Sequence, residues 1–155
     1  MTDVQPLIAL LARHERERDL ALADQSRAKS RDDAAQAQVE QLLAYRRQYE
    51  ERWRTQFAQS GQIEVVRCYQ GFVERLTQAV EAQQRTAAQA RAQLGRAETV
   101  SREHEMKVAA VKQLIARRYA EARLEANRRD QKQDDELAAR MAWSRRAATG
   151  GPRVA

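Results

Sequence analysis

Proline placement constrains this chain more than any other feature of its sequence. There is no proline between Pro6 and Pro152, and a proline inside a helix costs roughly 3 kcal/mol or more, so very long helices are permitted. The one segment in that span typical of a turn is 59–62, where Gly61 can adopt the left-handed backbone that commonly ends a helix. We therefore predict a single domain over residues 1–155, with a first helix at about 4–58, a turn at about 59–62, a second helix at about 63–147 and a disordered tail at 148–155.

A heptad repeat runs through both predicted helices. Its seam positions in the first helix are 4, 11, 18, 25, 32, 39, 46 and 53, together with 7, 14, 21, 28, 35, 42 and 49. Those in the second helix are 73, 80, 87, 94, 101, 108, 115 and 122, together with 69, 76, 83, 90, 97, 104, 111 and 118. A repeat of this period implies a left-handed coiled coil.

The turn sets the expected register of the two helices. Folding about Gly61 pairs positions whose numbers add up to about 120, so residues after about Tyr119 have no partner on the first helix. The predicted fold class is all-α: a long two-helix antiparallel coiled-coil hairpin whose second helix overhangs.

The composition agrees with a long, thin helical protein. Charged residues make up 32% of the chain and aromatic residues only 5%, which is typical of coiled coils and unlike a globular domain. The net charge is +6, which allows an acidic partner such as nucleic acid. Acidic and basic residues alternate, however, and this pattern is more typical of a solvated helix face.

The sequence offers no constellation for chemistry. Cys68 is the only cysteine, and no phosphate-binding loop, zinc-ligand spacing or nucleophile motif is present. His14 and His104 occupy seam positions that we expect to lie in distant parts of the coiled coil, as polar residues tolerated in the core. We expect no enzyme activity, no catalytic residue, no cofactor and no metal.

Two further features of the sequence bear on where the protein is located. No apolar run reaches the roughly 18 residues needed to cross a membrane. The N-terminus contains Asp3 and lacks the basic start of a secretory signal. We expect a cytoplasmic protein that associates with membranes only through partners.

Aromatic side chains gather around the predicted turn. Six of the eight aromatic residues belong to this group: Tyr45, Tyr49, Trp53, Phe57, Tyr69 and Phe72. Outside the seam, heptad position g places Gln38 opposite Ala79 and Tyr45 opposite Phe72, and two helices alone bury such rings poorly. This strip is predicted to be a partner surface. The alternative is that its rings fold over the seam and stiffen the tip.

The predicted overhang carries a second apolar stripe. Leu137 and Met141, and less squarely Trp143, share one face of the helix. An unpaired amphipathic helix of this kind commonly docks in a groove of another protein. The alternative is a solvated, frayed helix end.

Several segments together resemble one known family. Residues 42–49, Gly61, residues 69–76, and residues 127–132 with 135–136 resemble corresponding segments of the flagellar FliJ family, and the likeness extends over essentially the whole chain. The resemblance implies an antiparallel coiled coil similar to the central stalk of rotary ATPases, serving flagellar type III export and hence motility and chemotaxis. It implies three partners: the hexameric export ATPase, the cytoplasmic part of the export-gate membrane protein, and export chaperones.

The resemblance also implies site residues. The family's gate-binding surface corresponds here to Gln38, Leu42, Tyr45, Tyr49, Phe72, Leu76 and Ala79. Its ATPase-binding ends correspond to Arg13, Arg16, Arg18, Arg128, Arg129 and Lys132. Association with the inner face of the cell membrane would then occur through the export apparatus.

Three alternatives remain open at the level of sequence. The first is the equivalent stalk of a virulence type III secretion system, which helical periodicity does not distinguish from a flagellar one. The second is a basic coiled-coil protein that binds nucleic acid, and the third is a general helical chaperone for export substrates.

Overall fold

The computed structural model describes residues 3–57 and 62–150 and contains two long helices there. Helix α1 comprises Gln5–Phe57 and helix α2 comprises Ile63–Thr149, and no strand occurs in these two ranges. The predicted all-α fold with two helices is confirmed. Residues 59–61 of the predicted turn, residue 58 at the predicted end of the first helix, and the chain from 151 onward lie outside the described residues.

Helix α1 begins with a side-chain cap. The backbone N–H of Gln5 donates to Oδ1 of Asp3 at 3.1 Å, which satisfies one of the amides that a helix start leaves unpaired. Pro6 lies in the first turn, where its missing N–H does no harm.

The chain divides into two compact units, and each contains part of both helices. The first unit is Met1–Arg13 with Val108–Ala155, and the second is His14–Lys107. Within the second unit, contacts between the helices pair Trp53 with Tyr69, Gln38 with Gln83, and Glu17 with His104. Because the partner on α2 moves forward as the residue on α1 moves backward, the helices run antiparallel in this unit.

Small residues line the seam of the second unit. Ala21, Ala28 and Ala35 are buried on α1 at intervals of seven residues. The buried residues of α2 in this unit follow the predicted seam rows: Leu76, Val80, Ala87, Leu94 and Ser101. Alanine has no side chain beyond Cβ, so it lets two helix backbones approach closely but buries little apolar surface per residue.

One charged side chain is the most deeply buried in this seam. Asp32 is 1% exposed. Its Oδ1 accepts from Nε2 of Gln36 at 3.3 Å, and its Oδ2 lies 3.5 Å from Nη2 of Arg91 on α2. Since a buried carboxylate without partners is costly, this contact between the helices favours one register over its neighbours.

In the first unit, the buried residues are confined to one stretch of α2. Val108 and Val111 are buried, and Leu7 and Leu11 of α1 are partly buried. From Tyr119 to Gly150 every described residue is exposed. This exposure is what we expected of the part of α2 predicted to overhang.

The Asp32–Arg91 contact leads to an asymmetric prediction. Arg91→Ala leaves the buried carboxylate of Asp32 without its cation and should lower the free energy of unfolding by about 1 kcal/mol. Asp32→Ala removes the costly group itself, while Arg91, with a side chain 69% exposed, stays in water. This second variant should therefore cost less than the first.

Urea unfolding followed by circular dichroism measures both changes. Arg85→Ala, at an exposed position of α2, is the matched control and should change the unfolding midpoint little. An Asp32→Ala variant less stable than Arg91→Ala would contradict this account of the seam.

Candidate partner-binding site

Among the described side chains of the second unit, which do not include that of Phe57, five aromatic rings form one cluster with Tyr49 at its centre. The ring centroid of Tyr49 lies 4.3 Å from that of Phe72 and 5.6 Å from that of Tyr69. It lies 6.2 Å from Trp53 and 6.4 Å from Tyr45. These spacings are those of favourable aromatic pairs, so aromatic side chains join the two helices here.

The spacing of the rings along each helix explains the cluster. Tyr45, Tyr49 and Trp53 follow one another at intervals of four on α1, which places them on one face. Tyr69 and Phe72 are three residues apart on α2 and meet that face. Trp53 and Tyr69 complete the contact at 4.8 Å between ring centroids.

Tyr45 is the most accessible ring of the cluster. The residue is 48% exposed, although its ring contacts Phe72 edge-on at 6.4 Å. The predicted juxtaposition of Tyr45 and Phe72 outside the seam is therefore confirmed. The binding of a partner by these two rings stays a prediction.

The remaining residues of the predicted gate surface differ in exposure. Gln38 and Ala79 are exposed, and Leu42, Tyr49 and Phe72 are partly buried. Leu76 is 8% exposed and belongs to the core of the helix pair. It can support this surface from beneath but offers little of its own side chain to a partner.

A cavity of about 420 Å³ adjoins Tyr45 on this surface. It is lined by Gln38, Gln41, Leu42, Tyr45 and Gln83. Nε2 of Gln83 donates to Oε1 of Gln38 at 2.8 Å, which links the two helices beside the cavity. Neither the cavity nor the role of Gln41 in its lining was predicted from the sequence, because a heptad position does not reveal where neighbouring side chains leave a gap.

A second cavity, of about 410 Å³, lies beside Trp53 and Tyr69, with Arg54, Val66 and Gln70 completing its lining. Burial raises the pKa of the Tyr69 phenol above its ordinary value, and the Glu50 carboxylate adds to the rise. The Arg54 guanidinium opposes it. The phenol thus keeps its proton to a higher pH in the folded chain.

The basic residues implied by the family resemblance lie on exposed or partly exposed positions. Arg18 is partly buried, with Nη2 3.1 Å from Oδ1 of Asp19. The others are exposed: Arg13, Arg16, Arg128, Arg129 and Lys132. Among them Arg16 belongs to the second unit, and Arg13 and the three residues of the C-terminal half of α2 belong to the first.

The two histidines lie together, so the expectation that they occupy distant parts of the coiled coil was wrong. Nδ1 of His14 lies 3.5 Å, and Nδ1 of His104 3.9 Å, from the same Oε2 atom of Glu17. Both Nδ1 atoms are buried and lack a hydrogen-bond partner. The antiparallel register brings these residues together although they are ninety positions apart in sequence.

The apolar stripe on the C-terminal part of α2 is fully accessible. Leu137, Met141 and Trp143 are 56%, 54% and 76% exposed. A cavity of about 220 Å³ lies against Trp143, Arg146 and Ala147. These residues belong to the first unit and are separate from the aromatic cluster in the chain.

Neither a metal-binding group of side chains nor a membrane-spanning stretch is found in the described ranges. Within 3–57 and 62–150, no group of three or more His, Cys, Asp and Glu side chains is arranged to hold a metal ion. In the same residues, neither helix contains a stretch that is both long and apolar enough to traverse a bilayer.

The raised pKa of Tyr69 predicts a loss of stability at alkaline pH. Because the phenol ionises more readily in the unfolded chain, its contribution is fully present below about pH 10 and is lost as the pH rises through its higher folded value. Tyr69→Phe should therefore lose less stability than wild type between about pH 8 and about pH 11.

Urea midpoints across this range, with tyrosinate absorbance recorded in parallel, test the prediction. Tyr119→Phe, at an exposed position outside the cluster, is the control and should follow the wild-type curve. Parallel curves for wild type and Tyr69→Phe would show that this phenol has no role in the alkaline transition.

Comparisons with known proteins bear on the whole chain. No curated protein and no solved structure matches it. One family model, described as Flagellar FliJ protein, matches residues 3–147. Since this match covers nearly the entire chain and agrees with the resemblance of its aromatic and C-terminal segments, the protein belongs to the FliJ family, a family of non-catalytic components of flagellar type III protein export.

Proposed function

We propose that this chain is a stalk-like adaptor that couples the hexameric export ATPase to the membrane export gate and binds export chaperones. Its role is to hold partners, and the proposal assigns it no catalytic step and no cofactor. Association with the inner face of the cell membrane then occurs through the gate protein. Membership of the FliJ family supports the setting, and the surfaces of the helix pair support the individual contacts.

The exposed ring of Tyr45 is the observation that supports the gate contact best. Tyr45 is held by ring contacts with Tyr49 and Phe72, yet the residue is almost half exposed to solvent. Aromatic side chains that are rigidly held and accessible contribute most of the binding energy in many interfaces. The residues implied by the family's gate surface include this ring and its supports.

The basic residues of α2 support the ATPase contact. Arg128, Arg129 and Lys132 are exposed in the first unit and lie within five positions of one another. Exposed guanidinium and ammonium groups can pair with carboxylates of a partner and speed association with it. The exposed stripe of Leu137, Met141 and Trp143 follows them on the same helix and provides apolar area.

The gate contact predicts the effect of removing its rings. The double variant Tyr45→Ala, Phe72→Ala should weaken binding to the purified cytoplasmic part of the gate by at least about 30-fold, as expected for the loss of a hot spot. Calorimetry measures this affinity, and flagellar motility provides a readout in cells.

Tyr119→Ala is the control, because Tyr119 is also exposed but lies in the other unit. Helix content must be retained in every variant, as measured by circular dichroism. If the folded double variant binds the gate with wild-type affinity, the gate does not bind at this surface.

The ATPase contact predicts a salt-dependent interaction. Arg128→Glu with Arg129→Glu should weaken binding to the ATPase about tenfold or more, and wild-type binding should also fall as salt is added. Arg85→Glu with Arg96→Glu makes the same change in charge at exposed positions of the second unit.

Equal losses in these two double variants would mean that net charge alone matters. Unchanged ATPase binding by Arg128→Glu with Arg129→Glu would show that this part of α2 does not contact the ATPase. Strong, salt-sensitive binding of either control or wild type to DNA or RNA would instead favour the alternative of a nucleic-acid-binding coiled coil.

A further inference from the structure

Charge is distributed unevenly around the helix pair of the second unit. Heptad positions c and g of α1 flank one side of the seam, and between Arg31 and Arg52 none of them carries a charge. These uncharged positions are Ala34, Gln38, Gln41, Tyr45 and Gln48. All five are exposed, so the absence of charge is a property of the surface.

Helix α2 continues this face. In the antiparallel pair its c and g positions lie on the same side as those of α1, as the ring contact of Tyr45 with Phe72, both g positions, shows. Between 72 and 89 these positions are Phe72, Arg75, Ala79, Ala82, Thr86 and Gln89. Arg75 is the one charged residue, and its Nε donates to the carbonyl oxygen of Gly71 on its own helix at 3.3 Å.

The opposite side of the same helix pair has the usual solvated character. At positions b and e, residues 33–54 of α1 and 74–91 of α2 carry eight charges over thirteen positions. The charged residues are Asp33, Glu40, Arg47, Glu50, Arg54, Glu74, Glu81 and Arg91. Because 32% of the whole chain is charged, one charge among the eleven c and g positions marks that side as different. We name it the uncharged face.

The cavity beside Tyr45 opens on the uncharged face. Leu42 is partly buried in it, Tyr45 lines one side, and the amides of Gln38, Gln41 and Gln83 complete the lining. A charged group placed there would lose water without gaining an opposite charge, which is costly. An apolar side chain loses nothing by the same transfer.

Glutamine suits the edge of such a cavity. Each side-chain amide can both donate and accept hydrogen bonds, so it matches a main-chain peptide group or a neutral polar side chain. Gln38 already accepts from Gln83 at 2.8 Å, while Gln41 is exposed at the adjacent c position. The lining therefore fits one apolar side chain flanked by neutral hydrogen-bonding groups.

We propose that the export gate docks on the uncharged face through an uncharged segment, one apolar side chain of which enters the cavity between Leu42 and Tyr45. A face without charges favours such a segment, because a charged segment would lose water there without gaining an opposite charge. The inference rests on the proposed gate contact and extends it, since it adds Gln41 to the contact surface and specifies the chemistry of the partner. It also means that salt does not weaken gate binding, in contrast to the ATPase contact.

The test inserts a charge of nearly the same shape. Gln41→Glu should weaken binding to the purified cytoplasmic part of the gate by about tenfold or more, because the carboxylate must lose water in the complex. Gln84→Glu makes the identical change at an exposed e position on the opposite side of the pair, and its affinity should stay within about twofold of wild type. Wild-type affinity should be equal at low and high salt.

Other results overturn the inference. Unchanged or tighter binding by Gln41→Glu, or a wild-type affinity that falls about tenfold with added salt, would show that the partner presents a charge. Tyr45→Ala tests the gate contact independently of the uncharged segment. If Tyr45→Ala loses affinity and Gln41→Glu does not, the gate binds at this surface but its docking segment is not uncharged. If folded Tyr45→Ala binds as wild type, both fail.

Discussion

Close pairing through small residues is the constraint on which the second unit depends. Ala21, Ala28 and Ala35 let α1 approach α2, but each buries little apolar area. The pairing is therefore reinforced by a few larger contacts, namely the Asp32–Arg91 ion pair and the aromatic cluster around Tyr49. The rings that correspond to the family's gate surface thus also hold the two helices together. The same side chains would therefore serve both stability and binding.

Helical periodicity predicted much of this arrangement. The heptad rows anticipated the buried alanines and the meeting of Tyr45 with Phe72, because a position in the heptad fixes the direction of a side chain around the helix axis. It did not anticipate the cavity beside Gln41 or the partner of Asp32. Those features depend on rotamers and on the fine register of two helices, which a pattern on one helix does not contain.

The register of the helix pair explains why the two histidines lie together. A register in which paired numbers add up to about 120 places His14 opposite position 106, only two residues from His104. The expectation that the two were distant treated each seam row separately. The convergence of both rings on one oxygen of Glu17 was beyond prediction, because it depends on how a flexible side chain folds over its own helix.

The burial of Leu76 changes how variants of this surface should be interpreted. Leu76 is among the residues implied by the family's gate surface, yet it is enclosed by the helix pair. Shortening it leaves a void in the core of the helix pair, which lowers the stability of the pair. A defect in export caused by such a change would reflect lost stability of the helix pair rather than a lost contact with a partner. A variant at this position would therefore be temperature-sensitive before it showed altered recognition.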